Sequence, residues 1–228
     1  MPGFIEYTIT PREAQRFYDR LGARHDIADL VESRAKRQGL EILGLEPGQA
    51  AANIGMGNGL EYLEMIARVG PNGFVAGLDL SPVMVWVSRR RALARGESAP
   101  ALVLGNALTL PYAANSFDAL FSSYMLDLIP LADIPTILSE FRRVLRPGGR
   151  LVLVGLTEGE GPISQSIMST WKALYRVQPA WLGGCRPLRL RDFVRQAGFT
   201  FVQRWYVSQW GYPSEVVSAV KPNERRTG

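Results

Sequence analysis

One cysteine, Cys185, and one histidine, His25, are all that this 228-residue chain has of those two residue types. A lone cysteine rules out an internal disulfide framework. With a single histidine beside it no Cys/His metal site can be assembled, so no bound metal is expected. Nucleophilic hydrolysis is no better served, because there is no G-x-S-x-G turn and only one imidazole could serve a triad. Long apolar runs are missing too. Stretches such as "ALVLG" and "RLVLVGL" fall far short of the ~20 residues a membrane-spanning helix needs. The opening "MPGFIEYTITPREAQRF" has neither the basic nor the apolar region of a secretory signal. A cytoplasmic protein is the expectation.

What is present looks ordinary for a globular chain. Hydrophobic residues make up 46% and charged residues 21%, a balance compatible with one well-buried domain and a small appended cap. The formal charge of +5 comes almost entirely from arginine. The densest run, "SRRRALAR" at 88–95, falls where a helix is expected and reads as a solvated face, so no nucleic-acid partner is expected.

From residue 48 onward, short aliphatic runs alternate with helical stretches, the pattern of an α/β fold with a mostly parallel sheet. The pattern predicts strands near 49–54, 74–79, 101–105, 117–123 and 150–155, and crossover helices near 59–69, 82–95 and 131–145. In "FRRVLRPGGRLVLVG" basic residues close a helix, Pro147 blocks its continuation, and Gly148 and Gly149 turn the chain into a buried strand. After a helix ended by Gly198, "TFVQRWYVSQW" and "SEVVSAV" are close enough to form an antiparallel hairpin. Residues 1–46 are read as a helical cap and 47–220 as the main domain, with 221–228 as a tail. An insertion at 157–185 carries a helix with apolar residues at Ile163, Ile167, Trp171 and Leu174.

The chemistry-bearing stretch is "AANIGMGNG" at 51–59, a glycine-rich turn between a strand and a helix, where open α/β sheets bind ligands. A dinucleotide fingerprint would need its third glycine at position 60, which is Leu60. Gly55, Gly57 and Gly59 instead give G-x-G-x-G, which argues against a nicotinamide cofactor, and no G-K-[ST] of a P-loop follows. Glycines here permit a sharp exit from the strand and close approach of backbone to a ligand; a tight turn with no ligand is the other reading. Asp79 ends the next strand, 20 positions after Gly59. Ser81 and Pro82 already start the following helix, which leaves the Asp79 carboxylate free for ribose hydroxyls. Asn106, past the third strand, is either a base-edge contact or a turn residue.

These blocks, "NIGMGNG", "GLDLSP", "GNALTLPYAANSFDALFSSYML" and "LRPGGRLVLVG", resemble the class I S-adenosylmethionine-dependent methyltransferases of the small-molecule type over about residues 48–155. In "FYDRLGARHD" and "SSYMLDLIP" the chain is similar to the quinone C-methyltransferases and bacterial phosphatidylethanolamine N-methyltransferases. The resemblance implies a three-layer, Rossmann-like, seven-stranded sheet, mostly parallel with an antiparallel last strand, and S-adenosylmethionine as cofactor. It implies Gly55, Gly57 and Gly59 around the methionine part, Asp79 on the ribose, and Leu80, Asn106 and Ala107 at the adenine, with Met56 and Ser122 also in the cofactor site. Asn53 and Asn106 stand where the family usually has acidic residues; each keeps one carbonyl acceptor, with less charge assistance.

Methyl transfer is an in-line displacement that depends mostly on alignment in a dry pocket. A base matters only where the acceptor must lose a proton. Candidates near the methyl are Tyr18 and His25 in the cap and Tyr124 after strand four, with Asp127 read as capping the next helix. The insertion helix, with Met168, Trp171 and Tyr175, is expected to form a lid over an apolar acceptor of lipid or quinone type. Lys172 and Arg176 could meet an anionic headgroup, giving peripheral membrane contact. "WLGGCRP" reads as a turn, and Cys185 lacks a prolyl-cysteine context. A non-catalytic, methyltransferase-like partner protein is the alternative function.

Overall fold

The computed structural model describes residue 8, residues 10–21 and residues 29–223. Seven strands form one sheet in the order β3-β2-β1-β4-β5-β7-β6. They are β1 (Ala50–Ile54), β2 (Phe74–Asp79), β3 (Ala101–Leu104), β4 (Phe117–Ser123), β5 (Leu145–Leu156), β6 (Thr200–Gln209) and β7 (Tyr212–Val220). The first five are mutually parallel. β7 enters antiparallel between β5 and β6, because the short Trp210–Gly211 turn, with both φ positive, leaves no room for a crossover.

The helices are α1 (Pro11–Leu21), α2 (Asp29–Leu43), α3 (Leu60–Val69), α4 (Pro82–Ala94), α5 (Ile134–Val144), α6 (Pro162–Val177) and α7 (Leu190–Gln196). Side chains alternate across each strand, so the two sheet faces make two apolar layers. Ala52, Ile54, Leu120 and Leu153 pack with α5 and α7 on one side. On the other, Ala51, Phe121, Val152 and Val154 pack with α2 and α3. α2 therefore belongs to the sandwich, where Gly39 lets it approach so closely that a Cβ would lie 2.8 Å from Val154. α1 instead lies against α4 and a 3-10 turn at Pro179–Leu182.

The bounds of α5 and β5 differ from the sequence reading. α5 stops at Val144, and the strand is already formed at Leu145. Leu145 pairs with Phe117 and the ladder resumes at Arg150 opposite Ala119, so Arg146–Gly149 form a bulge within β5. Gly148, with φ 76°, supplies the left-handed step. α5 starts at Ile134 rather than 131, because Pro130 leads into a turn closed by the Asp133 N–H on the Pro130 carbonyl.

Candidate active site

At the carboxyl ends of β1, β2 and β4 lies a cavity of about 310 Å³. The turn from β1 to α3 makes one wall. Gly55 and Gly57 have φ of 71° and 53°, values that L side chains adopt only under strain. The N–H groups of Gly55 and Met56 bond the Leu78 carbonyl at 2.8 and 3.1 Å, tying the turn to β2. A Cβ on Gly55 would lie 2.6 Å from Met125. Gly55, Met56 and Gly57 all line the cavity.

Asp79 joins them there, but its carboxylate is not free as the sequence suggested. Gly57 N–H donates to Oδ2 at 2.8 Å and Ser81 N–H to Oδ1 at 2.9 Å. These bonds fix the carboxylate and leave further lone pairs on both oxygens for a ligand. Burial raises its pKa, opposed by the backbone N–H bonds. Ser81 caps α4 as expected, its Oγ accepting from Met84 N–H at 3.1 Å, and it also bonds Asp19 of α1. Leu80, Asn106 and Ala107 complete this end. The Asn106 carbonyl Oδ1 already accepts the Leu108 N–H at 3.0 Å, an Asx turn that engages the acceptor the sequence reading reserved for a ligand.

Three residues expected at the site stand away from the cavity wall. Asn53 and Ser122 are 1% and 2% exposed, and neither the Asn53 amide nor the Ser122 hydroxyl has a hydrogen-bond partner among the described residues. Asn53 lies in the ladder between Gly77 and Phe121, short of the turn; at the end of β4 it is Ser123 that reaches the cavity. Gly59 serves packing: with φ 82°, a Cβ there would lie 2.6 Å from the Ser88 hydroxyl. That hydroxyl donates to the Gly57 carbonyl at 2.8 Å, clasping α4 to the turn. His25 lies outside the described residues.

The other end of the cavity is aromatic. Tyr18, Tyr124, Trp171, Trp181 and Tyr212 line it together with Cys185. Tyr124 takes up the left-handed backbone region, φ 49°, unusual for a bulky residue and a mark of a position held by its surroundings. Its N–H bonds the Val154 carbonyl at 2.8 Å, its hydroxyl shares a 2.6 Å bond with Ser214, and Lys36 Nζ sits 5.7 Å from its ring centre. Burial pushes the phenols of Tyr18, Tyr124 and Tyr212 well above their ordinary pKa. They are neutral walls and hydrogen-bonding groups at physiological pH, not ionised bases. Of the insertion helix, Trp171 faces the cavity, whereas Met168 and Tyr175 are buried in packing. The Lys172 ammonium is paired with Glu158.

Asp127 does not cap α5. It sits fully buried in a 3-10 turn at Leu126–Leu128, and its Oδ2 accepts the Leu156 N–H at 2.7 Å. Desolvation pushes its pKa up to about 8. The Cys185 thiol lies 3.7 Å from the same oxygen and is itself pushed up by burial.

An ion cluster went unread in the sequence. Lys36 Nζ lies 3.0 Å from Glu32 and 3.5 Å from Glu61, and all three line the cavity with side chains about a tenth exposed or less. The legible signal was Lys36 beside Ala35 on the apolar face of α2, with Glu32 one turn before it. With both carboxylates ionised the cluster carries one net negative charge. Together with Asp79, this donor set suits a cationic ligand bearing hydroxyls, and the paired ammonium suits a zwitterionic end.

Residues 52–153 match the family model described as a methyltransferase domain. The chain is 31% identical over 155 residues to nocamycin O-methyltransferase of Saccharothrix syringae, a match covering 68% of this chain and 52% of that protein. It is 32% identical over 168 residues to demethylmenaquinone methyltransferase of Symbiobacterium thermophilum, covering 69% and 65%. The matches thus span about half to two thirds of the length of these curated relatives. Among solved structures, an S-adenosylmethionine-dependent methyltransferase from Aquifex aeolicus superposes with a TM-score of 0.60 at 20% identity, covering 93% of this chain and 98% of that one. A Haemonchus contortus phosphoethanolamine N-methyltransferase, in complex with phosphomonomethylethanolamine and S-adenosylhomocysteine, gives 0.63 at 19% identity, covering 82% and 53%.

Proposed function

Because the chain belongs to the class I S-adenosylmethionine-dependent methyltransferases, we propose that it transfers a methyl group to a small apolar acceptor of quinone or lipid type. The observation that carries this reading is one continuous cavity with two unlike ends: the Gly55–Gly57 turn with Asp79 at one, and Tyr124, Trp171 and Tyr212 at the other. S-adenosylmethionine supplies an electrophilic methyl on a sulfonium. Asp79, oriented by two backbone N–H groups, would accept the ribose hydroxyl protons. Leu80 and Ala107 would flank the base, with Asn106 at its edge. Glu61 and the Glu32–Lys36 pair would meet the charged amino-acid end.

At the acceptor end the chain's work is placement and exclusion of water. Tyr124 and Tyr18, kept protonated, would orient an oxygen or ring of the acceptor by hydrogen bond and ring contact. Trp171 and Tyr212, edge to face with centres 5.8 Å apart, give an apolar aromatic corner against which a ring system can pack. The quinone-type acceptor draws further support from the similarity to a demethylmenaquinone methyltransferase.

Binding and turnover test the two halves separately. By calorimetry, Asp79→Asn should weaken S-adenosylmethionine binding by about 10- to 100-fold, the loss of a charge-assisted pair of hydrogen bonds. Gly57→Val should weaken it at least as much. Unchanged affinity in both would overturn the site. Labelled methyl transfer into a demethylated quinone or a lipid fraction should depend on the same residues. Cofactor binding with no labelled product from any extract fraction would favour the non-catalytic alternative.

A further inference from the structure

The 3-10 turn at Pro179–Leu182 stands at the mouth of the cavity, which Trp181 and Leu182 help to line. Trp181 is nonetheless 64% exposed. Two helices pack against this turn, and each has an outward face that the fold does not use. α6 carries Ile163, Ile167, Leu174 and Val177 at helical spacing on one side, of which Ile163 and Val177 are 72% and 70% exposed. The stripe runs about 21 Å along the helix. Near its far end a Cβ on Gly211 would lie 2.9 Å from Ile163, which brings the adjoining Trp210, 85% exposed, next to the stripe. A row of apolar side chains ended by two exposed tryptophans is the composition of an interfacial helix face.

α1 supplies the charge. Arg12, Arg16 and Arg20 recur every fourth position and are all exposed, while the opposite face, with Ala14 and Tyr18, lines the cavity. The helices that carry the basic stripe and the apolar stripe thus both pack against the turn that holds Trp181.

We propose that α1, the Pro179–Leu182 turn and α6 form a docking surface for an anionic lipid bilayer, which places the cavity mouth against the membrane. Charge decides the occupant: a second copy would bring the same arginines against these, in a chain of net charge +5, whereas an anionic surface complements them. The inference rests on the reading of the cavity as the site of an apolar acceptor and adds a route for it, since an acceptor dissolved in the bilayer would pass Trp181 without crossing water.

Vesicle co-sedimentation of the full chain tests this, with phosphatidylcholine vesicles and with phosphatidylcholine mixed with phosphatidylglycerol. The protein should pellet with the anionic vesicles at low salt and be released as salt screens the arginines. The triple change Arg12→Glu, Arg16→Glu, Arg20→Glu should lower partitioning at least about tenfold. Leu174→Ser with Val177→Ser should lower it similarly, and in both variants S-adenosylmethionine affinity and the melting profile should match the wild type. No pelleting of the wild type overturns the proposal. So does pelleting undiminished in both variants, or a dimer that Val177→Ser converts to monomer. Vesicle binding needs no cofactor, so a chain that binds vesicles but not S-adenosylmethionine sinks the methyl-transfer reading alone.

Discussion

Asn53 is polar, central in the sheet and unsatisfied: none of its side-chain amide atoms has a partner among the described residues at 1% exposure. Burying such groups unpaired costs on the order of 1–3 kcal/mol. Asn53→Val, which suits a strand and removes the orphaned groups, should raise unfolding free energy in urea by about 1 kcal/mol with S-adenosylmethionine affinity unchanged. A loss of affinity would return Asn53 to the cofactor site. Asp127 gives the opposite kind of test. Its pKa in the fold, about 8, lies above the ordinary carboxylate value, so the folded state holds a proton that the unfolded chain has lost. Stability from this group is thus full below pH ~4 and falls as pH rises toward ~8. Asp127→Asn keeps an oxygen for the Leu156 N–H but never ionises. It should be about as stable as the wild type near pH 4 and more stable by on the order of 2 kcal/mol at pH 8, as urea unfolding at the two pH values would read.

The sequence made the Gly55–Gly57 turn and Asp79 legible because backbone need and strand-end position are both written locally. It could not separate Gly59 from them. All three glycines look alike in "GMGNG", but the reason for the third is Ser88, 29 positions on. Asn106 was open between ligand and turn, and its Asx bond is a matter of rotamer that spacing does not encode. The Glu32–Lys36–Glu61 cluster needs α2 and α3 docked on the same sheet face, a tertiary fact.

Among the elements, the clasp of α4 on the turn is the one most exposed to a single change. Gly59→Ala combines a left-handed φ with a clash at Ser88 and should cost about 2–3 kcal/mol, read as a lowered melting temperature. Ser88→Gly in the same chain should recover part of it by making room, whereas a purely conformational penalty would stay. α2 illustrates how far local pattern reaches. Its helix was readable from Ile27, Leu30 and Val31 onward, but a cap and a sandwich layer have the same amphipathic signature. What separates them is Gly39 against Val154 and Phe121. The insertion helix α6 shows the same ambiguity inside out: its repeat of Ile163, Ile167 and Leu174 faces outward, and Trp171 alone of the four turns to the cavity.

At the scale of the whole molecule, the buried ion cluster couples α2 to α3 and the site. Lys36→Met would remove the ammonium that lies between Glu32 and Glu61, and should destabilise the fold by about 3–5 kcal/mol. Lys36→Met with Glu32→Gln and Glu61→Gln should regain most of that in urea unfolding while still losing S-adenosylmethionine affinity. A triple variant that binds the cofactor normally would make the cluster purely structural. No helix among the described residues is long and apolar enough to cross a membrane.

α1 is tied down at both ends. Before it, the Thr8 hydroxyl bonds the carbonyls of Leu128 and Gly184; near its end, Asp19 bonds Ser81, whose own N–H holds the Asp79 carboxylate. A strap fastened at two points sets a clock as well as a shape, because whatever lies beneath leaves only as fast as one fastening lets go. Asp19→Ala should therefore shorten the residence time of S-adenosylhomocysteine in stopped-flow displacement more than it alters the rate at which the ligand enters, so that the hydroxyl of a capping serine governs how long each spent cofactor is kept.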